Sequence, residues 1–186
     1  MVKTIRLASE IQPDSIVDGE GIRTVIWTQG CSHDCKGCHN KETHDFKKGF
    51  SKNIEELKVE ISNLKNQDGI TFSGGDPMFQ IDAVLELAKY AKSINLNIWC
   101  YTGFTFEQLL IMSKKNKKLL ELLNNIDVLI DGKFILEEKS YDVIFRGSKN
   151  QRILDVKKSL KNNKACEIKK YMVKKEITYK KEYLFV

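Results

Sequence analysis

Short apolar runs alternate with amphipathic stretches along most of the chain. Runs rich in β-branched and aromatic residues predict strands, which cover residues 23–29, 69–73, 97–101, 128–130 and 152–156. Between them, apolar residues recur every three or four positions, which predicts helices over residues 54–64, 81–88, 105–110 and 119–123. Asn53 and Glu56 have the spacing of a capping box for the first helix, and residues 177–186 predict a further edge strand.

Strands that alternate with helices over this length predict an α/β fold with a parallel sheet and helical crossovers. In such sheets, ligands bind beyond the carboxyl ends of the strands. The residues with the most chemical character directly follow four of the predicted strands, at residues 31–38, 74–77, 102–103 and 131–133. We therefore expect these four loops to converge on one functional face.

The composition is typical of a globular protein. Hydrophobic residues make up 41% and charged residues 30% of the 186 positions, which suits one domain with a sizeable core and excludes a disordered chain. No apolar run approaches the roughly 18 residues that span a bilayer, and residues 1–12 lack the apolar core of a signal peptide. We therefore predict a soluble, cytoplasmic protein with no membrane partner and no specific nucleic-acid partner.

Positive charge is concentrated near the carboxyl terminus. Residues 157–186 contain ten lysines and three glutamates, so residues 1–156 carry a net charge of −1 out of the total of +6. Such a segment either forms solvated surface, the commoner case, or contacts an acidic partner. We divide the chain into a domain over residues 1–156 and a basic extension over residues 157–186 that could pack on it.

Three of the five cysteines, Cys31, Cys35 and Cys38, fall within eight residues. An odd count without a signal peptide argues against a disulfide framework, and clustered thiolates favour zinc, copper(I) or an iron–sulfur cluster. Zinc takes four ligands, and the fourth could be His33 or His39. A [4Fe–4S] cluster usually takes four cysteines, so three would leave one iron open to a substrate.

The other two cysteines and the remaining histidine carry no assignment. Cys100 lies within a predicted strand and Cys166 lies far along the chain, so both are interpreted as ordinary buried or idle thiols. His44, together with His33 in the case of a cluster, is interpreted as a surface histidine without a role.

The cysteine loop resembles that of the radical S-adenosylmethionine (SAM) enzymes, in which a C-x3-C-x2-C pattern follows a first strand. Further segments narrow the resemblance to activating proteins of glycyl-radical enzymes, and among these to the family that activates anaerobic ribonucleotide reductase. The segments are residues 18–23 (DGEGIR), 73–77 (SGGDP), 101–107 (YTGFTFE), 131–134 (DGKF) and 146–152 (RGSKNQR). The resemblance covers roughly residues 3–156. Gly37 and Asp76 depart from the commoner aromatic residue and Glu.

The resemblance implies a partial, open (β/α) barrel of the radical SAM type. Cys31, Cys35 and Cys38 would hold a [4Fe–4S] cluster, and SAM would chelate its fourth iron. The implied SAM-binding residues are Gly37, His39, Gly74, Gly75, Asp76, Asp131, Gly132 and Lys133. Among them, Lys133 would pair with the SAM carboxylate, while the backbone beside Cys38 would face the adenine.

The implied activity is that of an oxidoreductase with no catalytic side chain beyond the cluster and SAM. A flavodoxin or ferredoxin-type donor would reduce the cluster, SAM would yield a 5′-deoxyadenosyl radical, and this radical would create a glycyl radical on anaerobic ribonucleotide reductase. The SAM pocket or the partner surface would be served by four further residues, Arg23, Asn150, Gln151 and Arg152. Alternatively, Arg152 starts a strand and faces solvent.

Two alternatives stay open. One is a radical SAM enzyme with another glycyl-radical partner or a small-molecule substrate, such as a deazaguanine synthase. The other is a non-catalytic zinc- or cluster-binding interaction module, which would leave the glycine motif and the pair of Asp131 and Lys133 unexplained.

Overall fold

A computed structural model of the protein describes residues 3–172, so the predicted strand over residues 177–186 lies outside the described part. The strands are β1 (Thr4–Leu7), β2 (Gln12–Ser15), β3 (Arg23–Thr28), β4 (Phe50–Asn53), β5 (Gly69–Gly74), β6 (Asn97–Tyr101), β7 (Val128–Asp131) and β8 (Arg152–Asp155). The helices are α1 (Ile54–Asn63), α2 (Ile81–Ser93), α3 (Phe106–Ser113), α4 (Lys117–Asn125) and α5 (Val156–Asn162). Among residues 3–172, no helix has the length and apolar character needed to cross a membrane.

The strands form one sheet with the order β4-β1-β3-β5-β6-β7-β8, and β2 pairs with β3. Strands β3, β5, β6 and β7 are parallel neighbours at its centre. Helices link them because a parallel return must cross back over a face of the sheet. Within the described residues β4 and β8 do not pair, so the sheet stays open. The predicted α/β fold with an open, parallel-stranded sheet is confirmed.

Strand β8 departs from the predicted parallel arrangement, because it runs antiparallel to β7 with Arg152 opposite Asp131. The connection over residues 132–151 contains a 3₁₀ turn but no helix, and a strand that returns without a crossover pairs antiparallel. The sequence pattern also misses β1, β2 and β4, which are antiparallel as well. Each has four residues, at least half of them polar, whereas the equally short β7 is largely apolar and is recognised.

Side chains cap the helices largely as their spacing predicts. Asn53 caps α1 by accepting from the N–H of Glu55 at 2.8 Å, but the predicted reciprocal contact of Glu56 is not formed. Thr105 caps α3 as predicted and, with Gln108, forms a complete capping box. Each cap satisfies N–H groups that have no partner inside their own helix.

The two faces of the sheet have different surroundings, because side chains alternate along each strand. On the outer face the helices pack against residues such as Phe72 and Leu129 and form the main core. On the inner face, a smaller cluster includes Trp99, Ile130 and Tyr171. The apolar stripes of the helices therefore serve the core, as their spacing predicts.

Arg23 stabilises the inner face and does not belong to the predicted site. It lies at the amino end of β3, buried, with its guanidinium 5.4 Å from the centre of the Trp99 ring. It donates to Thr71 Oγ1 at 2.7 Å and to three backbone carbonyl groups. Burial lowers its pKa to about 10, so the group stays charged at neutral pH.

The described part of the basic extension packs against the sheet. Helix α5 follows β8 directly, and the chain then returns along β8, where the Ile168 N–H donates to the Ile153 carbonyl at 2.9 Å. Lys170 and Tyr171 both donate to the Glu20 carboxylate, at 2.6 and 2.7 Å. The division of the chain at residue 156 stays a prediction.

Leu87 and Leu120 test the assignment of the core. Leu87 on α2 is fully buried, whereas Leu120 on α4 is 42% exposed. We expect Leu87→Ala to lower the free energy of unfolding by about 2–5 kcal/mol, because it leaves a cavity. The matched change Leu120→Ala should cost under about 1 kcal/mol. Urea denaturation of both variants measures the difference, and equal losses would contradict the packing described.

Candidate functional site

A cavity of about 420 Å³ opens at the carboxyl ends of the central strands. As predicted, the loops after β3, β5, β6 and β7 all contribute to its wall. Wall residues from these loops include Cys31, Cys35, Cys38, Gly74, Gly75, Thr102, Gly103 and Gly132. The connection from β7 to β8 adds Phe134, Phe145, Arg146 and Gly147. These four were not assigned to the site, although the last two begin the RGSKNQR segment.

The three clustered cysteines are free, half-buried thiols in this wall. Burial raises the pKa of Cys31 to about 11 and also raises the pKa of Cys35, so both are protonated until a metal displaces the proton. Among the described residues, no three His, Cys, Asp or Glu side chains lie close enough together to bind a single metal ion. A cubane cluster requires no such convergence, because each thiolate binds a different iron.

The other two cysteines lie away from the cavity wall, which agrees with their interpretation as idle thiols. Cys100 is fully buried within β6, and its pKa is raised by that burial. Cys166 follows α5 and contacts the side-chain amide of Asn162 at 3.4 Å.

The backbone fixes where the cysteine loop begins and ends. Gly30, with φ of +105°, starts the loop, and its N–H donates to the Thr43 carbonyl at 2.7 Å. The N–H of Cys31 donates to the His44 carbonyl at 3.0 Å. Gly37 also has a positive φ, +74°, a conformation that glycine adopts at little cost. The loop is therefore anchored to the segment that follows it.

The glycine turn after β5 lies directly against the start of the cysteine loop. The Gly75 N–H donates to the Thr28 carbonyl at 2.7 Å, and the Asp76 N–H donates to the Gly30 carbonyl at 3.0 Å. A Cβ atom at position 75 would overlap the backbone of Gly30. Glycine at this position therefore allows two backbone segments to touch, and both Gly74 and Gly75 line the cavity.

The Asp76 carboxylate is buried and is not part of the cavity wall. One oxygen accepts from the Met78 N–H at 2.9 Å, and the other accepts from Thr102 Oγ1 at 2.8 Å and the Gly103 N–H at 2.9 Å. His33 Nε2 lies 2.6 Å from the same oxygen. In this arrangement Asp76 holds the surrounding loops and does not face a ligand directly.

Asp131, the other carboxylate among the predicted SAM-binding residues, is also buried and forms an ion pair with Arg152. It accepts two hydrogen bonds from Arg152, at 2.9 and 2.5 Å, and one from the Phe106 N–H at 2.7 Å. Gly132 lines the cavity, whereas the Lys133 side chain is exposed, with its Nζ 3.4 Å from the His33 carbonyl. Of this strand end, Gly132 alone reaches the wall.

Two amides of the RGSKNQR segment hold that strand end in place. Gln151 Nε2 donates to the Gly132 carbonyl at 3.1 Å, and its Oε1 accepts from the Gly147 N–H at 2.9 Å. Asn150 Nδ2 donates to the Lys133 carbonyl at 2.8 Å. Gln151 also lines the cavity. Asn150 does not line it, and the roles considered for the two residues stay predictions.

The histidines differ from their sequence-based interpretation. His33 was interpreted as a surface residue, but its side chain is only 9% exposed because it packs between two loops. His44 is half-buried and lines the cavity with His39. The exposed His39 packs on Phe134 with the ring centres 4.9 Å apart, whereas Gly37 does not line the cavity.

Comparison with known proteins places these features in a family. The family model described as a 4Fe-4S single cluster domain matches residues 17–154. An anaerobic ribonucleoside-triphosphate reductase-activating protein of Haemophilus influenzae is 35% identical over 150 residues, covering 76% of this chain and 92% of its own length. Proteins of the same name from Vibrio cholerae and Enterobacteria phage T4 are 37% and 36% identical, over 76% and 77% of this chain and 92% and 90% of theirs.

Among solved structures, QueE from Escherichia coli resembles the chain with a TM-score of 0.45 and 17% sequence identity. The match covers 55% of this chain and 53% of QueE.

The ion pair of Glu107 with Arg152 predicts a pH-dependent contribution to stability. The hydrogen bond from Arg152 holds the pKa of Glu107 below its ordinary value of 4.5. The contribution is therefore present above about pH 4.5 and is lost as the pH falls through the lower, folded-state value. We expect Glu107→Gln to lower the free energy of unfolding by at most about 1 kcal/mol at pH 7, since the pair is half exposed.

Urea denaturation between pH 3 and pH 7 measures this effect, and the difference from the parent should close below pH 4.5. Glu137→Gln is the control, because the exposed Glu137 has no ion-pair partner within residues 3–172. A difference for Glu107→Gln that stays constant across the whole range would contradict the prediction.

Proposed function

The chain belongs to the family of the anaerobic ribonucleoside-triphosphate reductase-activating proteins, and from this premise we propose that it installs a glycyl radical on an anaerobic ribonucleotide reductase, using a [4Fe–4S] cluster and SAM. One observation carries the proposal: three free thiols and a glycine turn share one cavity wall at the carboxyl ends of parallel strands. This is the edge at which α/β sheets bind their ligands.

The cysteines suit the cluster in number and in surroundings. Cys31, Cys35 and Cys38 would each ligate one iron, which leaves the fourth open to SAM. When bound, the reduced cluster and SAM would supply the 5′-deoxyadenosyl radical that takes a hydrogen atom from a glycine of the reductase. The protein contributes ligands, orientation and exclusion of water.

The cavity suits one ligand of the size of SAM, since ligand pockets usually enclose about 300–1,000 Å³. Gly74 and Gly75 line the cavity, and their carbonyl groups would accept from the SAM ammonium group. Lys133, free of any carboxylate among residues 3–172, would turn toward the SAM carboxylate. The backbone near Gly37 and His39 would lie along the adenine.

Asp76 and Asp131 would act on SAM indirectly. Both carboxylates already accept at least three hydrogen bonds from the protein. Breaking these bonds to reach a ligand would leave buried donors without partners, which costs about 1–3 kcal/mol for each. We therefore propose that the two residues set the position of the neighbouring glycine backbone.

The remaining proposals concern partners and surroundings. A glycine of another protein must reach the cavity, and the open sheet provides a side from which it could enter. Free thiols persist in a reducing cytoplasm, and a low-potential cluster requires a strong reductant of the flavodoxin or ferredoxin type. The basic residues 157–186 would favour an acidic patch on one of these partners.

Cys35→Ser tests the proposal, with Cys166→Ser as the matched control outside the cavity. After anaerobic reconstitution, we expect the parent and Cys166→Ser to bind iron and sulfide and to give a reduced-cluster EPR signal that changes on adding SAM. Cys35→Ser should lose the cluster and lower glycyl-radical formation on the reductase by at least about 100-fold, since even changes outside the ligand set cost 10–100-fold.

An EPR signal of the parent that ignores SAM would contradict the radical mechanism. Zinc bound in place of a cluster would instead support a non-catalytic interaction module. Normal cluster content in Cys35→Ser would show that Cys35 is not a cluster ligand.

A further inference from the structure

His33 lies where the four loops of the cavity meet. It sits in the cysteine loop, between the first two cysteines, and its side chain is 9% exposed. Its Nε2 is 2.6 Å from Asp76 in the turn after β5, and its backbone carbonyl is 3.4 Å from Lys133 Nζ in the loop after β7. Its ring packs edge-on against Phe104, in the loop after β6, with the centres 4.6 Å apart.

The contact between His33 and Asp76 is a directed hydrogen bond. An ionised carboxylate only accepts, so the His33 Nε2–H donates. The same Asp76 oxygen also accepts from Thr102 Oγ1 and the Gly103 N–H. His33 belongs to the cysteine loop, whereas Thr102 and Gly103 belong to the loop after β6. The buried carboxylate holds the two loops at hydrogen-bond distance, because losing any of these donors would leave it partly unsatisfied.

The ring is closely packed on several sides, although His33 also lines the cavity. A Cβ atom at Gly103 would lie 2.5 Å from the ring of His33, so glycine at that position makes room for the imidazole. On another side, Phe79 lies with its ring centre 5.7 Å away. The ring therefore has one position in this structure, and the peptide between Cys31 and Cys35 is held with it.

We propose that His33 is a positioning residue for the iron–sulfur cluster. By donating to Asp76, it fixes the loop that carries Cys31, Cys35 and Cys38 against the glycine turn. This sets the location of the open iron relative to the SAM-binding backbone. The inference rests on the proposed function, because it takes the three cysteines as cluster ligands.

The structure does not support the other roles considered for His33. A zinc site needs several ligands around one ion, and among residues 3–172 no three His, Cys, Asp or Glu side chains lie close enough together for that. A surface histidine would be solvated, whereas this side chain is packed between aromatic rings. The role also explains why Asp76 is an aspartate buried away from the cavity: its partner is a side chain of the cysteine loop.

Two substitutions of His33 separate the hydrogen bond from the volume of the ring. His33→Leu fills similar space but cannot donate. His33→Gln places an amide N–H at about the position of Nε2 and can still donate to Asp76. Ser32→Ala is the matched control, because Ser32 is an exposed neighbour in the same loop.

The full chain is reconstituted anaerobically, and iron loss is followed after adding a chelator. We expect His33→Leu to lose iron about 10-fold faster than the parent, as is common when a group that orients metal ligands is removed. His33→Gln and Ser32→Ala should keep the parent rate. The EPR spectrum of reduced His33→Leu with SAM should also differ from that of the parent.

Thermal unfolding of the apoproteins identifies a variant that fails to fold. If His33→Leu is unfolded, His33→Ala, which also removes the donor, takes its place in the comparison. Parent-like iron loss in a folded His33→Leu, or rapid loss in His33→Gln, would overturn the proposal. A parent protein that holds no cluster, or whose EPR signal does not change with SAM, would instead overturn the proposed function. The cluster content and EPR spectrum of the parent are therefore measured before those of any variant.

Discussion

Two buried carboxylates hold the cavity together, and much of its geometry follows from their need for hydrogen-bond donors. Charged oxygens without partners are too costly to keep inside a protein. Asp76 meets this need with donors from the cysteine loop and from the loop after β6. Asp131 meets it with Arg152 from β8 and the first N–H of α3. Each carboxylate therefore joins segments that are distant in sequence, and the cavity wall lies between them.

Close backbone contact is the second requirement of the site. The turn after β5 touches the start of the cysteine loop, and Gly75 makes that contact possible because it has no Cβ atom. Gln151 extends the arrangement to the last loop by binding Gly132 and Gly147. Five of the residues that line the wall are glycines, so the backbone forms part of its surface.

The sequence predicts the central architecture well because amphipathic helices leave a periodic pattern and buried strands leave continuous runs of apolar residues. The predicted bounds of β6, residues 97–101, agree with the structure at both ends. The direction of β8 is not encoded in its own residues, since it depends on the absence of a helix before it. The site is predicted only in part. The spacing of the cysteines can be read within eight residues, whereas the burial of Asp76 depends on loops that are distant in sequence. His33 shows the same limit, because an isolated histidine in a polar loop gives no sign that aromatic rings from two other loops enclose it.

An open sheet has two free edges, and unpaired edge strands invite pairing with another chain. At one edge, β4 is four residues long, and its Lys52 is paired with Glu10 and Glu60. At the other, the returning chain covers β8: the Asp155 N–H donates to the Cys166 carbonyl at 3.0 Å, and Leu154 pairs with Glu167. The polar groups of β8 that a second molecule would use are thus already occupied. The start of the basic extension therefore protects the β8 edge against pairing with another chain.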